Sequence, residues 1–359
     1  MPFKILPKNC LGIDIGTSGI KGVELSSFGA KITLSNYFIV PTFLSHQKEI
    51  EETKKSIIFL PSEDLAEVIK SGIQTAKIKA KNCVFSLPDF LTFFTILNLP
   101  PMSKEEIGPA VKIEARKYIP VPIKEVTLDW QIVESTSFEK GWTILLVAIP
   151  NELIYKYQKI ALLSNLKILG LEAEVFSLIR SLIKNKNEFK TVAILDIGVK
   201  STTCTIVERG ILRAYHSLNV STFSLSEKIS QELEIDLPLA EKIKKVWGCS
   251  FENMPLEAKE KEIYQSIFYT ALSPLLREVD QILRNFYLKE GKEIDKIILT
   301  GGSGKIPGLL QFLEKHFKKN VELGNPFSRI NFPLQLEGVL KKVGPELSVA
   351  TGAALRGLI

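Results

Sequence analysis

The sequence predicts an α/β protein built from two related halves that share one cleft. A unit of apolar strand, aspartate, polar turn and second strand occurs twice, at Leu11–Leu25 and Ala193–Val207. Each copy continues into a third β-like run, at Ala30–Val40 and Ile211–Leu218. Recurrence of a whole supersecondary unit indicates a duplicated half-molecule. Each copy is then expected to direct one acidic turn toward the shared cleft.

The first acidic turn contains the residue types that bind a phosphate with its magnesium ion. Asp14 lies in an apolar strand, and small or hydroxyl residues follow it: Gly16, Thr17, Ser18 and Gly19. Amides and hydroxyls donate to phosphate oxygens, while a carboxylate binds the cation or its waters. The same residue types also close ordinary hairpins. The second copy, Asp196 and Gly198, favours phosphate binding, because a turn used only for geometry has little reason to recur.

The composition is typical of a globular protein and argues against a nucleic-acid partner. Of 359 residues, 45% are hydrophobic and 24% charged, which predicts about two domains with ample core. The net charge of +6 is spread without a basic stripe interleaved with aromatic residues, so no nucleic-acid partner is expected. The four cysteines form no C-x-x-C pair and are predicted to be buried thiols. We find neither a signal-peptide pattern nor an apolar run of the ~18 residues that cross a membrane, so a soluble protein is expected.

Between the acidic turns, the pattern predicts a helix, a strand and an inserted block. The helix is expected at Pro61–Ala76, capped by Ser62, and the strand at Cys83–Leu87. We expect a small inserted subdomain over Leu87–Lys167. Its predicted elements are strand Phe93–Leu99, helix Ser103–Tyr118, strands Val126–Val133 and Trp142–Ile149, and a helix capped by Asn151.

The second half is predicted to be rich in helices. Strand Lys167–Leu171 and helix Glu172–Lys184 lead into its acidic turn. The elements expected beyond that turn are helices Ser224–Leu233, Leu237–Trp247 and Pro255–Lys289 with a kink at Pro274, strand Lys296–Thr300, helix Gly308–Phe317 and helix Glu346–Gly357. The last of these helices is expected to close the second half.

A glycine-rich stretch follows strand Lys296–Thr300. It does not match a Walker P-loop, which needs glycine at Leu299 and a hydroxyl residue at Ile306. It does not match a dinucleotide fingerprint either, because Pro307 stands where the third glycine belongs. A strand that ends in two bare glycines allows the backbone to approach a flat adenine or ribose. Taken alone, a simple strand-to-helix turn explains the stretch equally well.

Together, the two acidic turns and the strand–Gly-Gly-Ser–helix segment resemble the phosphate-1, phosphate-2 and adenosine motifs of the actin/Hsp70/sugar-kinase superfamily of ATP-binding proteins. The block between the turns stands where FtsA-type members carry their own subdomain. The whole chain resembles the PilM family of type IV pilus assembly proteins. The stretches that carry this resemblance are SLPDFLTFFTILNLPPMSKEE, IEARKYIPVPIKEVTLDWQIV and LTGGSGKIPGLLQFL with Asn325-Pro326-Phe327.

The resemblance implies an actin-like ATPase fold, in which two RNase H-like domains enclose a nucleotide cleft and carry an FtsA-like inserted subdomain. It divides the chain into a first domain at 1–86, the inserted subdomain at 87–167, a return to the first domain at 168–190 and a second domain at 191–359. A helical subdomain at about 222–290 is expected within the second domain.

The resemblance also implies ATP and Mg²⁺ as ligands and assigns residues by motif. Lys21 is placed to reach a phosphate, and the metal is expected at Asp14 and Asp196. Catalysis is assigned to these two acids and to Glu174, which is expected to orient the attacking water. The remaining phosphate residues are Gly16, Thr17, Ser18, Gly198, Ser201 and Thr202. The residues expected on the adenosine side are Gly301, Gly302, Ser303, Glu241, Lys244 and Lys245; a solvated helix explains the last three charges nearly as well.

Two features depart from the superfamily pattern. A Gly-Gly pair usually precedes the helix near the γ-phosphate, and here Ser221 and Thr222 take its place. Lys200 intrudes into the second acidic turn. Side chains at these positions crowd a backbone approach to phosphate. Nucleotide binding is therefore expected to survive more easily than efficient hydrolysis, and the resemblance leaves open whether ATP is hydrolysed slowly or only bound.

By the same resemblance, the expected function is an ATP-binding scaffold for pilus assembly. It implies a cytoplasmic protein held at the inner membrane by the N-terminal tail of PilN, which binds a groove beside the inserted subdomain. Other platform proteins and self-association are further expectations. One alternative is an FtsA-like filament former, against which the absence of an amphipathic tail argues. The other is a small-molecule kinase, for which Asp89 or Asp129 of the insert would supply the base.

Overall fold

A computed structural model describes residues 8–17, 19–41, 57–135, 141–183, 190–218, 220–254 and 257–359. Ser18 therefore lies outside the described residues. The strands are β1 (Lys8–Gly16), β2 (Gly19–Phe28), β3 (Lys31–Pro41), β4 (Asn82–Leu87), β5 (Phe93–Leu99), β6 (Val126–Ser135), β7 (Trp142–Pro150), β8 (Lys167–Ala173), β9 (Thr191–Ile197), β10 (Thr202–Glu208), β11 (Ile211–Leu218), β12 (Lys296–Thr300) and β13 (Asn320–Leu323).

The helices alternate with these strands. They are α1 (Ser62–Thr75), α2 (Lys104–Glu114), α3 (Asn151–Leu163), α4 (Glu174–Leu182), α5 (Thr222–Glu232), α6 (Leu237–Val246), α7 (Ala258–Glu290), α8 (Leu309–Phe317), α9 (Glu337–Val343) and α10 (Ser348–Arg356). The long α7 contains Pro274.

Two five-stranded sheets repeat one topology. The first has the order β3-β2-β1-β4-β8 and the second β11-β10-β9-β12-β13. In each sheet, three antiparallel strands are followed by two strands that run parallel to the central one. The duplicated half-molecule predicted from the sequence is therefore present, with β1 and β9 as equivalent central strands. Because each acidic turn follows such a strand, the two turns occupy equivalent edges.

The inserted subdomain has its own sheet, of order β5-β7-β6, and its own core. Helix α2 covers this sheet through Ile107 and Val111, which pack with Leu97 and Ile144. Ser103 and Glu106 form a reciprocal capping box that begins the helix. The subdomain can therefore carry a surface of its own beside the cleft.

Two helices join a different core from the one that the sequence analysis assigned. Helix α3 was placed in the insert, but its Leu153 and Tyr157 pack with Leu11 and Phe85 of the first sheet. Helix α10 was placed in the second half, but it packs against β1, β2, β4 and α4 of the first. Helix α3 is amphipathic and helix α10 is rich in small residues. Neither pattern indicates which sheet the helix covers. The insert is thus closer to 93–150, and the chain returns to the first half at its end.

The described residues contain no helix that is both long and apolar enough to cross a bilayer. Cys10, Cys83 and Cys204 are buried free thiols, as their apolar strands predict, and Cys249 is partly buried.

Candidate functional site

The two acidic turns meet in one cleft between the two large sheets. Asp14 of β1 and Asp196 of β9 both line it, as do Thr17 and Ser201 from the turns that follow these strands. Gly302 lies on the wall that β12 contributes. The carboxyl ends of neighbouring parallel strands meet at one edge of a sheet, which is where open α/β sheets bind ligands. The duplicated fold therefore places both turns at a single site.

In the first turn, Asp14 is paired with Lys21 across the hairpin. These residues are opposite each other in the β1–β2 register, and Nζ of Lys21 donates to Oδ2 of Asp14 at 3.3 Å. Ser86 donates to Oδ1 of Asp14 at 3.4 Å. Burial alone would lower the pKa of Lys21, but the carboxylates of Asp14 and Glu346 outweigh it and raise that pKa. Lys21 is therefore a buried, fully charged cation at the cleft.

The second turn, which follows Asp196, is closed by a backbone hydrogen bond. The N–H of Gly198 donates to the carbonyl of Ser201 at 2.9 Å. Burial, followed by the charge of Asp14, raises the pKa of Asp196 to about 6. Thr202, which was expected to face phosphate, is fully buried and donates to the Val220 carbonyl at 2.7 Å. Its hydroxyl therefore supports the turn and does not line the cleft.

The glycine-rich turn supplies bare backbone beside Asp196. Gly301 has φ +84°, and a Cβ built on it would lie 2.2 Å from Oδ1 of Asp196. Only glycine allows this combination of conformation and approach. A Cβ on Gly302 would meet nothing within 4 Å, so this backbone faces the open cleft. Ser303 is buried and donates to Oγ1 of Thr222 at 3.2 Å, so it anchors the turn from behind.

Three further carboxyl groups line the cleft: Glu174 at the start of α4, Asp89 after β4, and Glu346, which pairs with Lys305. Oδ1 of Asp89 accepts the N–H of Val175 at 3.2 Å, which satisfies one of the free donors at the helix start. Burial, followed by the charges of neighbouring carboxylates, raises the pKa of Glu174 well above its usual range. Burial also raises the pKa of Asp89, against the hydrogen bond from Val175. The cleft is thus strongly acidic around one lysine.

Tyr215 of β11 connects this acidic wall to the inserted subdomain. Its hydroxyl is buried, has no hydrogen-bond partner of regular geometry among the described residues, and interacts with the Asp89 carboxyl. Its ring lies edge-on to Phe94 of β5, with centroids 4.6 Å apart. Phe94 also contacts Phe176 of α4. Residues from both halves and from the insert therefore meet beside Asp89.

Glu241, Lys244 and Lys245 of α6, which are predicted from the sequence on the adenosine side, are not among the residues that line the cleft. Lys244 is buried; it donates to the Thr222 carbonyl at 2.9 Å and pairs with Glu241 at 2.6 Å. Lys245 is 68% exposed and pairs with Glu241 at 3.2 Å. These groups satisfy one another within the helical part of the second half. Among the described residues, Thr222 connects them to the glycine-rich turn.

Sequence reasoning missed Tyr215, and it considered Asp89 only as a base for the alternative kinase. Asp89 follows β4, which runs parallel to β1, so its position at the same sheet edge could have been inferred from the strand order. Asp129, the other acid considered for that role, is exposed on β6. Ile58 and Pro345 also line the cleft, and no local pattern distinguishes them.

The acidic residues fit a cation that arrives with a phosphate group. Among the residues that the structure describes, no three His, Cys, Asp or Glu side chains converge closely enough to hold a metal by themselves. Asp14 and Asp196 nevertheless line one cleft, whose lining includes Lys21 as its cation. Magnesium keeps several waters and uses one or two carboxylates together with substrate phosphates. The donor set therefore fits a magnesium–phosphate pair better than a free ion.

Comparison with known proteins identifies relatives of this fold. The family model for type IV pilus assembly protein PilM matches residues 12–358. Cell division protein FtsA of Bacillus subtilis (strain 168) is 24% identical over 167 residues, which cover 41% of this chain and 37% of that protein. A ribosome-associated molecular chaperone of Zygosaccharomyces rouxii is 30% identical over 112 residues, which cover 31% of this chain and 15% of that protein. The matches thus span well under half the length of these relatives.

Solved structures extend the comparison over almost the whole chain. A PilM-PilN type IV pilus biogenesis complex matches with a TM-score of 0.81 and 24% identity, covering 98% of both chains. Ethanolamine utilization protein EutJ from Carboxydothermus hydrogenoformans matches with a TM-score of 0.54 and 12% identity, covering 98% of this chain and 90% of that chain. MreB5 of Spiroplasma citri bound to AMPPNP matches with a TM-score of 0.51 and 12% identity, covering 97% and 95%. These likenesses confirm the predicted actin-like ATPase fold.

Proposed function

This chain belongs to the family of type IV pilus assembly protein PilM, and we propose that it is a cytoplasmic ATP-binding scaffold of the pilus assembly platform. The observation that carries the proposal is that Asp14 and Asp196, from the duplicated turns, line one cleft. The structure of MreB5, which shares the fold, is bound to AMPPNP. Nucleotide binding in this cleft would hold the two halves in one relative orientation.

Different residues of the cleft contact different parts of ATP in this proposal. Lys21 neutralises phosphate charge, and the glycine backbone on the opposite wall approaches the adenosine. Asp14 and Asp196 would hold magnesium together with phosphate oxygens, and the bound ion would neutralise charge that develops on the phosphates. Glu174 is the residue that we propose to orient a water molecule toward the terminal phosphate. Any hydrolysis at this site depends mostly on positioning and charge.

Mass spectrometry of the nucleotide that co-purifies with the protein tests ATP binding. We expect ATP with the wild type and its loss in Asp14→Ala and in Asp196→Ala. Asp129→Ala is the matched control, because Asp129 is exposed on β6 outside the cleft. Co-purification of ATP at the wild-type level with either cleft variant would overturn the assignment.

We further propose that the partner is the N-terminal cytoplasmic tail of PilN, bound in a groove beside the inserted subdomain. The likeness to a PilM in complex with PilN supports this partner. A short peptide that docks in a groove can hold a protein without a membrane span at the inner membrane. Other platform proteins and further copies of this chain are proposed as additional partners of the scaffold.

Point variants test the peptide site better than deletion of residues 87–167. That deletion would remove α3 from the first core and Asp89 from the cleft. Ile113 and Tyr118 are 65% and 50% exposed on the inserted subdomain, and we choose them as candidate contacts. Replacing each with serine should weaken binding of a labelled PilN tail peptide. Leu288→Ser, at a 70% exposed position on α7, is the control; equal affinity in all variants would place the groove elsewhere.

The position of Asp89 favours a small-molecule kinase as the second candidate function. Such an enzyme needs a carboxylate base beside the phosphate turns, and Asp89 and Glu174 both line the cleft. ATP consumption measured with and without sugars or short-chain acids separates the two candidates. Consumption that rises with one of these acceptors and falls in Asp89→Asn would favour the kinase.

A further inference from the structure

Thr222 joins the second acidic turn to the glycine-rich turn. It is the first residue of α5 and is only 4% exposed. Its backbone N–H donates to the Gly198 carbonyl at 3.2 Å, and its hydroxyl donates to the same oxygen at 3.3 Å. The hydroxyl of Ser303 donates to Oγ1 of Thr222 at 3.2 Å. One side chain therefore ties the loop after β9 to the loop after β12.

A buried network holds Thr222 from its other side. Its carbonyl accepts Nζ of Lys244 at 2.9 Å. Lys244 is 3% exposed and pairs with Glu241 at 2.6 Å, and Glu241 accepts the hydroxyl of Ser226 at 2.5 Å. A buried ammonium group without such partners is costly, so these bonds are kept in the folded protein. Thr222 is fixed at its amide, its hydroxyl and its carbonyl.

Thr222 does not line the cleft, but its partner Gly198 does, and so does Gly302, the neighbour of its other partner Ser303. Gly198 belongs to the second acidic turn, and Gly302, next to Ser303, belongs to the glycine-rich turn that follows the neighbouring strand β12 of the same sheet. The relative position of these two turns decides whether one ligand can touch both. Thr222 is bonded to both turns from outside the cleft lining.

The start of α5 is closed to phosphate. A helix N-terminus with free amides is a ready anion site. Here the amide of Thr222 is used by Gly198, that of Phe223 donates to the Val199 carbonyl at 3.1 Å, and that of Ser224 donates to the Ser221 hydroxyl at 3.4 Å. These amides already donate to protein oxygens and are not available to a phosphate. We therefore expect this end of α5 to affect ligand binding through the two turns that Thr222 contacts.

We propose that Thr222 is a positioning residue for the nucleotide, which holds the phosphate-binding turn and the adenosine-binding turn at the distance that a nucleoside di- or triphosphate spans. The inference rests on the proposed function, because it assumes that a nucleotide occupies the cleft. A ligand that touches both turns gains from their fixed separation, whereas a ligand that touches only one does not.

Isothermal titration of Thr222→Val and Thr222→Ser with magnesium–ATP and with magnesium–pyrophosphate tests the proposal. Valine keeps the shape and the backbone N–H but loses the hydroxyl, whereas serine keeps the hydroxyl. We expect Thr222→Val to bind ATP about tenfold more weakly, since one or two hydrogen bonds between the turns are lost. Pyrophosphate, which does not reach the glycine-rich turn, should bind as it does to the wild type. Thr222→Ser, which keeps the hydroxyl, should bind ATP as tightly as the wild type does.

The melting temperature of each variant accompanies the titrations. Wild-type affinity for ATP in Thr222→Val would overturn the positioning role, and so would an equal loss of ATP and pyrophosphate binding in a folded variant. Failure of the wild-type protein to bind either ligand overturns the proposed nucleotide site, and the positioning role falls with it. The wild-type titrations alone distinguish that failure from a failure of the positioning role.

Discussion

Asp14 and Lys21 face each other across the first hairpin, with Nζ of the lysine 3.3 Å from Oδ2 of the aspartate and both side chains less than 10% exposed. Four more carboxyl groups line the same cleft, those of Asp89, Glu174, Asp196 and Glu346. The buried lysine is thus surrounded by acids that repel one another, and their repulsion is relieved by a magnesium ion or by protonation. The arrangement is unfavourable for folding alone and is typical of a ligand site.

Replacing Lys21 with methionine should separate its structural role from its role in binding. The single variant leaves Asp14 buried without its partner, which should cost about 3 kcal/mol of unfolding free energy. The double variant Asp14→Asn with Lys21→Met removes both charges and should regain most of that stability. Neither variant should retain ATP during purification. Denaturant unfolding and mass spectrometry of bound nucleotide measure the two effects. Lys31→Met, at an exposed position of β3, is the control.

Alanine at the two neighbouring glycines should have different effects on stability. In Gly301→Ala, the new methyl group would lie 2.2 Å from Asp196 at a backbone φ of +84°, so the turn must shift and the melting temperature should fall. In Gly302→Ala, the methyl group would meet nothing within 4 Å and the melting temperature should change little. That methyl group occupies the space that we assign to adenosine, so ATP affinity should still fall. A stable Gly302→Ala protein with full ATP affinity would place the adenosine elsewhere.

The strands that determine the site were predictable because their signals are local. Strands Phe93–Leu99, Ile211–Leu218 and Lys296–Thr300 have the bounds that the sequence analysis gave them. A glycine or proline stands directly before or after each of these runs, and such local signals fix a strand without reference to the rest of the chain. The presence of both acidic turns at one cleft followed from the duplication. The identity of the fold came from motif order and not from periodicity.

The contacts between distant segments were not predictable in this way. Helix α3 shows only an apolar stripe, and that stripe would suit any sheet of the molecule. The charges of α6 were assigned to the ligand, whereas Lys244 is buried and bonded to Thr222. Whether a charged side chain faces a ligand or a backbone carbonyl depends on packing between elements, which neighbouring residues do not encode. The place of Asp89 in the cleft also depends on packing between elements, so the sequence alone did not indicate it.

Asp89 should make the stability of the protein depend on pH. Because its pKa in the folded protein is raised above that of the unfolded chain, the folded state holds more protons between those two values, and stability falls as pH rises through that window. Asp89→Asn keeps an oxygen that accepts the Val175 N–H but carries no charge. We therefore expect it to raise the melting temperature more at about pH 8 than at about pH 5. Asp129→Asn is the exposed control, and an equal effect of Asp89→Asn at both pH values would contradict the prediction.

Gly352 tests whether the last helix is part of the first half. It lies in α10, and a Cβ built on it would be 1.9 Å from the Ser177 carbonyl of α4. Alanine normally favours a helix over glycine by about 1 kcal/mol. Here the methyl group must push α10 away from α4, and overpacking of this kind costs about 1–3 kcal/mol or more. Gly352→Ala should therefore destabilise the protein in denaturant unfolding. Gly338→Ala in α9, where the methyl group would meet nothing within 4 Å, should be neutral or stabilising. If both substitutions stabilised the protein equally, α10 would not be packed on α4, and the first sheet would lose the helix that covers β1 and β4.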